Sequence, residues 1–150
     1  MNVALPEQVF LPGTPAYSEQ QVYYSKEQES DLPSCRVSPR TAQDVSRIVS
    51  LSTANHCHYA VKSGGHMAWS GASNIGPGGF TIDLGQMNQV SLSDDKHFVS
   101  IAGGAIWSTD VYPALAPHNL TTVGGRSAGV GVGGFLIHVS TLSISYSYPH

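Results

Sequence analysis

The sequence predicts an α+β fold, and three features of its pattern lead to that prediction. An amphipathic helical pattern in SPRTAQDVSRIVSLSTANH, residues 38–56, leads into a strand-like segment at 58–63. Strand-like segments then dominate residues 80–105. Glycine-rich turns separate these segments, as expected between short strands. A helix and a strand followed mostly by strands indicate an α+β or mixed α/β domain, not an all-β sandwich.

The first 34 residues are polar and contain four prolines. The segment QVFLPG predicts a short strand that ends in a turn at Pro12 and Gly13, because this dipeptide favours turns. A short helix is predicted after the turn, carrying Tyr17 and either Tyr23 or Tyr24.

The clearest helix is predicted after Thr41. Thr41 and Asp44 have the spacing of a capping box, with Asp in the place of Glu or Gln. One face of this helix carries side chains at helical spacing, namely Val45, Ile48, Val49 and Ser52. The helix therefore packs by its aliphatic side and delivers the chain into the strand HYAVKS, which ends at Gly64, Gly65 and His66.

Further strands and one more helix follow. The predicted strands are FTIDLG at 80–85, which is expected to alternate between buried and exposed residues, QVSLS at 89–93 and HFVSIAGGA at 97–105. The segment IWSTDVYPALAPHN predicts a helix with Asp110 as its cap, since Pro113 then lies in the first turn, where a missing N–H costs little. A last strand, LTTVGG at 120–125, is predicted to enter a glycine-rich loop at 124–134.

Composition argues against several classes of function. Charged residues make up 11% of the chain, hydrophobic residues 41%, and the formal net charge is -3. Since no cluster of Lys or Arg is present, we expect no nucleic-acid partner. No run of 18 apolar residues is present, so we expect no membrane-spanning helix. The N-terminal sequence as given lacks the basic and apolar regions of a signal peptide.

The two cysteines, Cys35 and Cys57, leave their chemistry open. The alternatives are two buried thiols and a single disulfide, which needs an oxidising compartment. His56 and His58 flank Cys57, but in a strand they point to the opposite face, and no second cluster has zinc-ligand spacing. We therefore expect no metal site.

Two glycine-rich loops, at 63–66 and 124–134, are the candidate binding elements. Glycine permits positive φ and lets backbone N–H groups approach a phosphate without a Cβ in the way. Two such loops favour a nucleotide or dinucleotide site, and the alternative is that the glycines only form tight turns. GVGVGG at 129–134 matches the Rossmann pattern only loosely, without the long helix and acidic residue that should follow. A P-loop G-K-[ST] and a G-x-S-x-G nucleophile elbow are absent.

Five segments in order carry a family resemblance: SCRVSPRTAQDVSRIV, CHYAVKSGGHMAWSGASN, FTIDLGQMNQVSLSDD, SIAGGAIWSTDVYPAL and LTTVGGRSAGVGVGGF. Together they resemble the FAD-binding domain of PCMH-type flavin oxidoreductases, the vanillyl-alcohol-oxidase and berberine-bridge-enzyme-like proteins, particularly their fungal and sugar-oxidase branch. The resemblance runs from about Val9 to Gly134. It implies an N-terminal part of that domain, with a small parallel α/β subdomain followed by a mainly antiparallel sheet subdomain.

The resemblance implies that FAD is the cofactor. The residues that it assigns to FAD binding are Lys62, Ser63, Gly64, Gly65, His66, Met67, Gly124, Gly125, Ser127, Gly129, Gly133 and Gly134. His66 matches a histidine that often bonds through a ring nitrogen to the 8α-methyl group of the flavin, so covalent attachment is expected. Asp83 and Trp107 match structural positions, with Trp107 in the core. Arg126 either offsets phosphate charge or faces solvent.

The activity that the resemblance implies is oxidation of a small molecule or sugar bearing a hydroxyl or amine group. A hydride would pass to flavin N5, and O2 would be the acceptor. In the family, a separate substrate domain supplies the substrate contacts and the base. We expect that domain to be absent from these 150 residues, so no catalytic residue is assigned. The alternative is a truncated, inactive FAD-binding fragment.

The resemblance also divides the chain. Residues 1–138 are predicted to form a partial FAD-binding domain, and residues 139–150 an unstructured tail outside the family pattern. We hypothesise that the tail is a translated intron, because a splice-donor sequence encodes Val-Ser, found at 139–140. If the N-terminus is incomplete, the protein is expected to be secreted, and a disulfide between Cys35 and Cys57 would then clasp the first long helix.

Overall fold

The computed structural model describes residues 5–138, so the predicted tail at 139–150 lies outside the described residues. The strands are Val9–Phe10 (β1), Arg36–Val37 (β2), His58–Lys62 (β3), Gly79–Asp83 (β4), Val90–Leu92 (β5) and Val99–Ile101 (β6). The α-helices are Pro15–Gln20 (α1), Lys26–Glu29 (α2), Ala42–Ala54 (α3), Tyr112–Leu115 (α4) and Val132–His138 (α5). Single 3-10 turns lie at Leu84–Gln86 and Ala116–His118, and a π-helical turn at Trp107–Val111.

The first sheet has the strand order β1-β2-β4-β3. Strands β2, β4 and β3 are parallel, whereas β1 pairs antiparallel with β2. All five residues of β4 are buried. The alternating pattern expected for this strand is therefore wrong, because β4 lies between two strands and is covered on both faces, as inner parallel strands are.

Helix α3 confirms its sequence prediction. The Thr41 side chain accepts from the Asp44 N–H at 3.1 Å, and the Asp44 carboxylate accepts from the Thr41 N–H at 3.1 Å. These two bonds satisfy N–H groups that the first turn of a helix leaves without partners. Ile48 lies in the core with Val37 and Ile82 of the sheet.

The second sheet is the antiparallel pair β5-β6. A second core lies beside it, formed by Ala105, Trp107, Val111, Leu115 and Val132. Trp107 is 2% exposed, which confirms its predicted place in the core. A parallel α/β part followed by an antiparallel part confirms the predicted α+β fold class.

Two predicted elements are wrong in detail. The helix predicted to begin at Asp110 begins earlier, at Trp107, and the Asp110 carboxylate instead accepts from the backbone N–H of Ile106 at 2.7 Å. Asp110 therefore lies within the π-helical turn, and its side chain accepts a hydrogen bond at the N-terminal end of that turn. Residues 120–125 form no strand, because this stretch packs its glycines onto the Trp107 indole ring instead of pairing with a sheet.

The N-terminal region and the cysteines also differ from expectation. Helix α1 ends at Gln20, so Tyr23 and Tyr24 lie after it. Both cysteines are free, with Cys35 half-buried and Cys57 exposed just before the edge strand β3. Neither the buried-thiol pair nor the disulfide is therefore present in the structure. Over residues 5–138, no helix is long and apolar enough to cross a membrane.

Candidate functional site

The two glycine-rich loops meet backbone to backbone. A Cβ built on Gly64 would overlap the Gly131 nitrogen and the Gly129 carbonyl oxygen. A Cβ built on Gly131 would in turn overlap the Gly64 nitrogen and the Ser63 hydroxyl. Gly64 follows β3, and Gly131 immediately precedes α5. Since real Cβ atoms do not approach other atoms this closely, the contact between the loops requires glycine on both sides.

The turn after β6 bridges the loops from a third direction. The Gly103 carbonyl accepts from the Ser63 hydroxyl at 2.7 Å and from the Gly133 N–H at 3.2 Å. The Ala105 carbonyl accepts from the Val132 N–H at 2.8 Å. These hydrogen bonds join the first glycine loop, the turn after β6 and the start of α5, which are far apart in the sequence.

A cavity of about 510 Å³ lies where the loops meet. The predicted binding residues that line it are Ser63, Gly64, Gly65, His66, Met67, Gly133 and Gly134. Its other described lining residues are Val61, Ala72, Ser73, Leu84, Val130, Gly131, Phe135 and Ile137. Backbone and apolar groups therefore dominate the wall, and none of these side chains is an acid, a lysine or an arginine.

The remaining predicted residues lie outside this lining. Gly124 and Gly125 pack against the Trp107 ring, so closely that a Cβ on either would overlap it. Ser127 is exposed, and so is Arg126. Gly129 lies beside the histidine, since a Cβ there would be 3.6 Å from Cδ2 of His66.

The cavity-lining residues that the sequence did not predict are mainly apolar. Leu84 follows β4, and Phe135 lies on α5. Both look like ordinary core residues in the sequence, so no local signal distinguishes them. Gly131 belongs to the GVGVGG motif, but it was not predicted to bind the cofactor. It packs against Gly64, which is 67 residues earlier in the sequence, so only the folded structure shows this contact.

Lys62 lies beneath the first loop in a buried charge cluster. Its Nζ donates to the Asp83 carboxylate at 3.1 Å and to the Gln20 carbonyl at 2.8 Å. Burial lowers the pKa of Lys62, and the Asp83 carboxylate opposes that effect. The guanidinium of Arg36, which is fully buried, lies 3.8 Å from the same carboxylate. Lys62 thus supports the end of β3 and does not reach the cavity.

Tyr23 packs between the two cations. Its ring centroid lies 4.7 Å from Nζ of Lys62 and 5.3 Å from Cζ of Arg36. Burial raises the pKa of the Tyr23 phenol to about 12, although Arg36 opposes the rise. The phenol therefore stays protonated at neutral pH and accepts from the Arg36 guanidinium at 2.9 Å.

Side chains of the N-terminal region form hydrogen bonds with residues 67–73, the segment that follows the first glycine loop. The Gln28 amide, which is fully buried, donates to the Met67 carbonyl at 2.7 Å and accepts from the Ser73 N–H at 2.7 Å. The Asp31 carboxylate accepts from the Ser70 hydroxyl and from the Gly71 N–H. These bonds fix the segment leaving His66 at both of its ends.

His66 itself lies at the cavity wall, half-buried. Its imidazole stacks on the ring of Tyr24, with centroids 4.1 Å apart and planes inclined by 16°. No local sequence pattern indicates this pairing, because the two side chains are 42 residues apart.

Comparison with known proteins shows the family to which the chain belongs. The sequence profile described as "FAD binding domain" matches residues 33–148 of this chain, which is most of its length.

The chain belongs to this family of FAD-binding domains.

Among curated relatives, the FAD-dependent monooxygenase tpcD of Cochliobolus heterostrophus is 39% identical over 116 residues. That match covers 77% of this FAD-binding chain and 22% of the relative. The FAD-dependent monooxygenase CTB5 of Cercospora beticola is 36% identical over 148 residues, covering 94% of this chain and 27% of the relative. The chain thus spans about a quarter of the length of these relatives.

A solved structure has the same fold. The 6-hydroxy-D-nicotine oxidase of Arthrobacter nicotinovorans is 26% identical, with a TM-score of 0.71 over 85% of this FAD-binding domain and 27% of that chain. Both the predicted family and its cofactor, FAD, are confirmed by these matches. The chemistry of the lining also fits the cofactor, because backbone groups of the two loops and apolar side chains form most of the cavity wall.

Proposed function

We propose that this FAD-binding domain holds the flavin of an oxidase that acts on a small molecule or sugar bearing a hydroxyl or amine group. The observation that carries the proposal is the contact between two glycine loops beside a cavity with His66 in its wall. Bound FAD would supply the redox chemistry, since N5 of its ring accepts a hydride and O2 takes up the two electrons as hydrogen peroxide.

Backbone groups of the two loops would bind the pyrophosphate. Among the described lining residues there is no charged side chain, so N–H dipoles are the groups that would meet the phosphate charge. Gly65 has φ of 63°, a conformation that favours glycine and turns the chain sharply before His66. The apolar wall formed by Leu84, Val130 and Phe135 suits the flat face of a flavin ring.

His66 is proposed to hold the flavin covalently. One solved structure with the same fold, 23% identical and with a TM-score of 0.69, is a glucooligosaccharide oxidase from Acremonium strictum whose description names an 8α-N1-histidyl FAD. In the bond proposed here, an imidazole nitrogen joins the 8α carbon. One methyl C–H bond and the imidazole N–H bond break, and the two hydrogens with their electrons reduce O2 to hydrogen peroxide.

The covalent bond can be tested with the chain as it is. The 150-residue chain is produced with FAD, denatured in acid and run on a gel, and flavin fluorescence that stays with the polypeptide is recorded. We expect fluorescence in the wild type and in His97→Ala, whose histidine lies exposed in the turn before β6, and none in His66→Ala. A folded wild-type chain that binds FAD but releases all of it in acid would contradict the covalent bond.

A second candidate is FAD binding without turnover by this chain. It is favoured by the cavity, where His66 is the one titratable side chain among the described lining residues and no second acid or base faces it. Oxygen consumption and peroxide release with a panel of sugars, alcohols and amines separate the two candidates. Labelled O2 distinguishes an oxidase, which leaves no label in the product, from the monooxygenase activity that the relatives' names indicate.

A further inference from the structure

The ring of Tyr24 lies against the proposed flavin anchor. Tyr24 is 67% exposed, unlike its neighbour Tyr23, which is 8% exposed. Its phenol ring nevertheless lies nearly parallel to the imidazole of His66, with a centroid distance of 4.1 Å. A large exposed aromatic side chain contributes little to the core, so its stacking on this one histidine needs another explanation.

The backbone of Tyr24 is held in place independently of its ring. Its N–H donates to the Gly65 carbonyl at 3.1 Å, one residue before His66. The side chain of Ser25 then caps α2, and Gln28 on that helix binds the carbonyl of Met67. Removal of the ring would therefore leave the chain on both sides of His66 attached through its other bonds.

The stack is the contact that orients the imidazole. The side-chain hydrogen bonds around the first loop run through Gln28 and Ser63, and within residues 5–138 none involves the ring nitrogens of His66. The Tyr24 ring covers one face, and Gly129 lies beside the Cδ2 edge. Such an arrangement fixes the plane of the imidazole and leaves both nitrogens available to react.

We propose that Tyr24 is a positioning residue that holds the His66 imidazole by stacking and thereby sets the rate at which the histidine bonds to FAD. This inference rests on the proposed function, because it concerns the same bond between an imidazole nitrogen and the flavin 8α carbon. Reaction in a bound complex requires the attacking atom to be aligned, and a misplacement of about 1 Å can slow it ~100-fold. An imidazole free to rotate about its side-chain bonds would meet that requirement only part of the time.

The first experiment detects the stack without any flavin. Proton NMR spectra of the FAD-free chain identify the His66 ring signals as those missing from His66→Ala. A stacked tyrosine shifts these signals upfield, so we expect them to move downfield in Tyr24→Ala and to stay upfield in Tyr24→Phe. Signals at the same position in the wild type and Tyr24→Ala would overturn the inference and leave the proposed function intact.

The second experiment measures attachment. FAD is added to FAD-free wild type, Tyr24→Ala, Tyr24→Phe and Val22→Ala, a control whose side chain is exposed on the same segment. Acid-stable fluorescence is followed over time at several FAD concentrations, which separates binding affinity from the maximal rate. We expect the maximal rate to fall about tenfold or more in Tyr24→Ala, with FAD affinity within about twofold of wild type, and to recover in Tyr24→Phe.

The outcomes distinguish this inference from the function on which it rests. An equal rate in Tyr24→Ala and Val22→Ala, with His66→Ala still unlabelled, would overturn the role of Tyr24 alone. A faster rate in Tyr24→Ala would also overturn it, because the ring would then be an obstacle. No acid-stable flavin in the folded wild type would overturn the covalent bond and this inference together.

Discussion

Gly64 and Gly131 touch through their backbones, and neither position has room for a single additional carbon atom. The contact joins the end of the parallel sheet to the beginning of α5, and it forms one edge of the proposed FAD cavity. Two residues without side chains thus hold together the two halves of the site.

Substitution of Gly64 by alanine should separate the loops. The added methyl group would overlap backbone atoms of Gly131, which cannot move aside as a flexible side chain does. Overpacking of this kind costs about 1–3 kcal/mol, and we expect Gly64→Ala to lose most FAD binding, measured by quenching of flavin fluorescence. Gly78→Ala is the control, since a Cβ there would have no atom within 4 Å. Equal FAD affinity in both variants would contradict this account.

The buried charge cluster predicts an asymmetry between two substitutions. Asp83→Asn leaves Lys62 and Arg36 buried without their carboxylate, and loss of one partner of a buried ion pair costs about 3–5 kcal/mol. Lys62→Met leaves Asp83 with Arg36 and with the Gly85 N–H, so a smaller loss is expected. Urea unfolding measures both free energies. A larger loss for Lys62→Met than for Asp83→Asn would refute the proposed arrangement.

Acid should weaken the cap of α3. Hydrogen bonding with the Thr41 side chain, and then with the N–H groups of Arg40 and Thr41, holds the pKa of Asp44 below its usual 3.8. The folded chain therefore binds the Asp44 proton less readily than the unfolded chain, so this stabilisation is present above about pH 4 and is lost as pH falls through the lowered pKa.

The comparison variant for this effect is Asp44→Asn, whose side chain does not titrate. Thermal unfolding midpoints are recorded for both proteins from pH 6 to pH 3. We expect the difference between wild type and variant to be constant above pH 5 and to shrink at lower pH. Since the other carboxylates are common to both chains, a difference that stays constant down to pH 3 would exclude the role of Asp44.

The Trp107 ring is expected to support the second loop as well as the core. Trp107→Ala should lose about 3–5 kcal/mol in urea unfolding, because the ring is buried and Gly124 and Gly125 pack directly on it. Trp107→Phe should lose less, since Nε1 of the indole has no hydrogen-bond partner within residues 5–138 and its removal breaks no bond. Trp69→Ala, at a side chain that is 58% exposed, should change stability by less than about 0.5 kcal/mol.

Local signals in the sequence predicted a large part of the fold. The capping pair Thr41 and Asp44 placed the start of α3, and the apolar run at 58–63 predicted β3 to within one residue, because helix caps and strand patterns act between near neighbours. Prediction failed at Asp110 and at residues 120–125, where the decisive contacts are a reach back to the Ile106 N–H and packing on Trp107.

By itself, the sequence determined the α+β class, the two glycine-rich loops and the histidine that ends the first of them. Only the tertiary structure decided that Gly64 meets Gly131, that Lys62 lies beneath the site in an ion pair, and that Tyr24 stacks on His66. The reason is physical. Turns, caps and strands arise from interactions over a few residues, whereas a binding cavity is formed by segments that only the folding of the whole chain brings within contact distance.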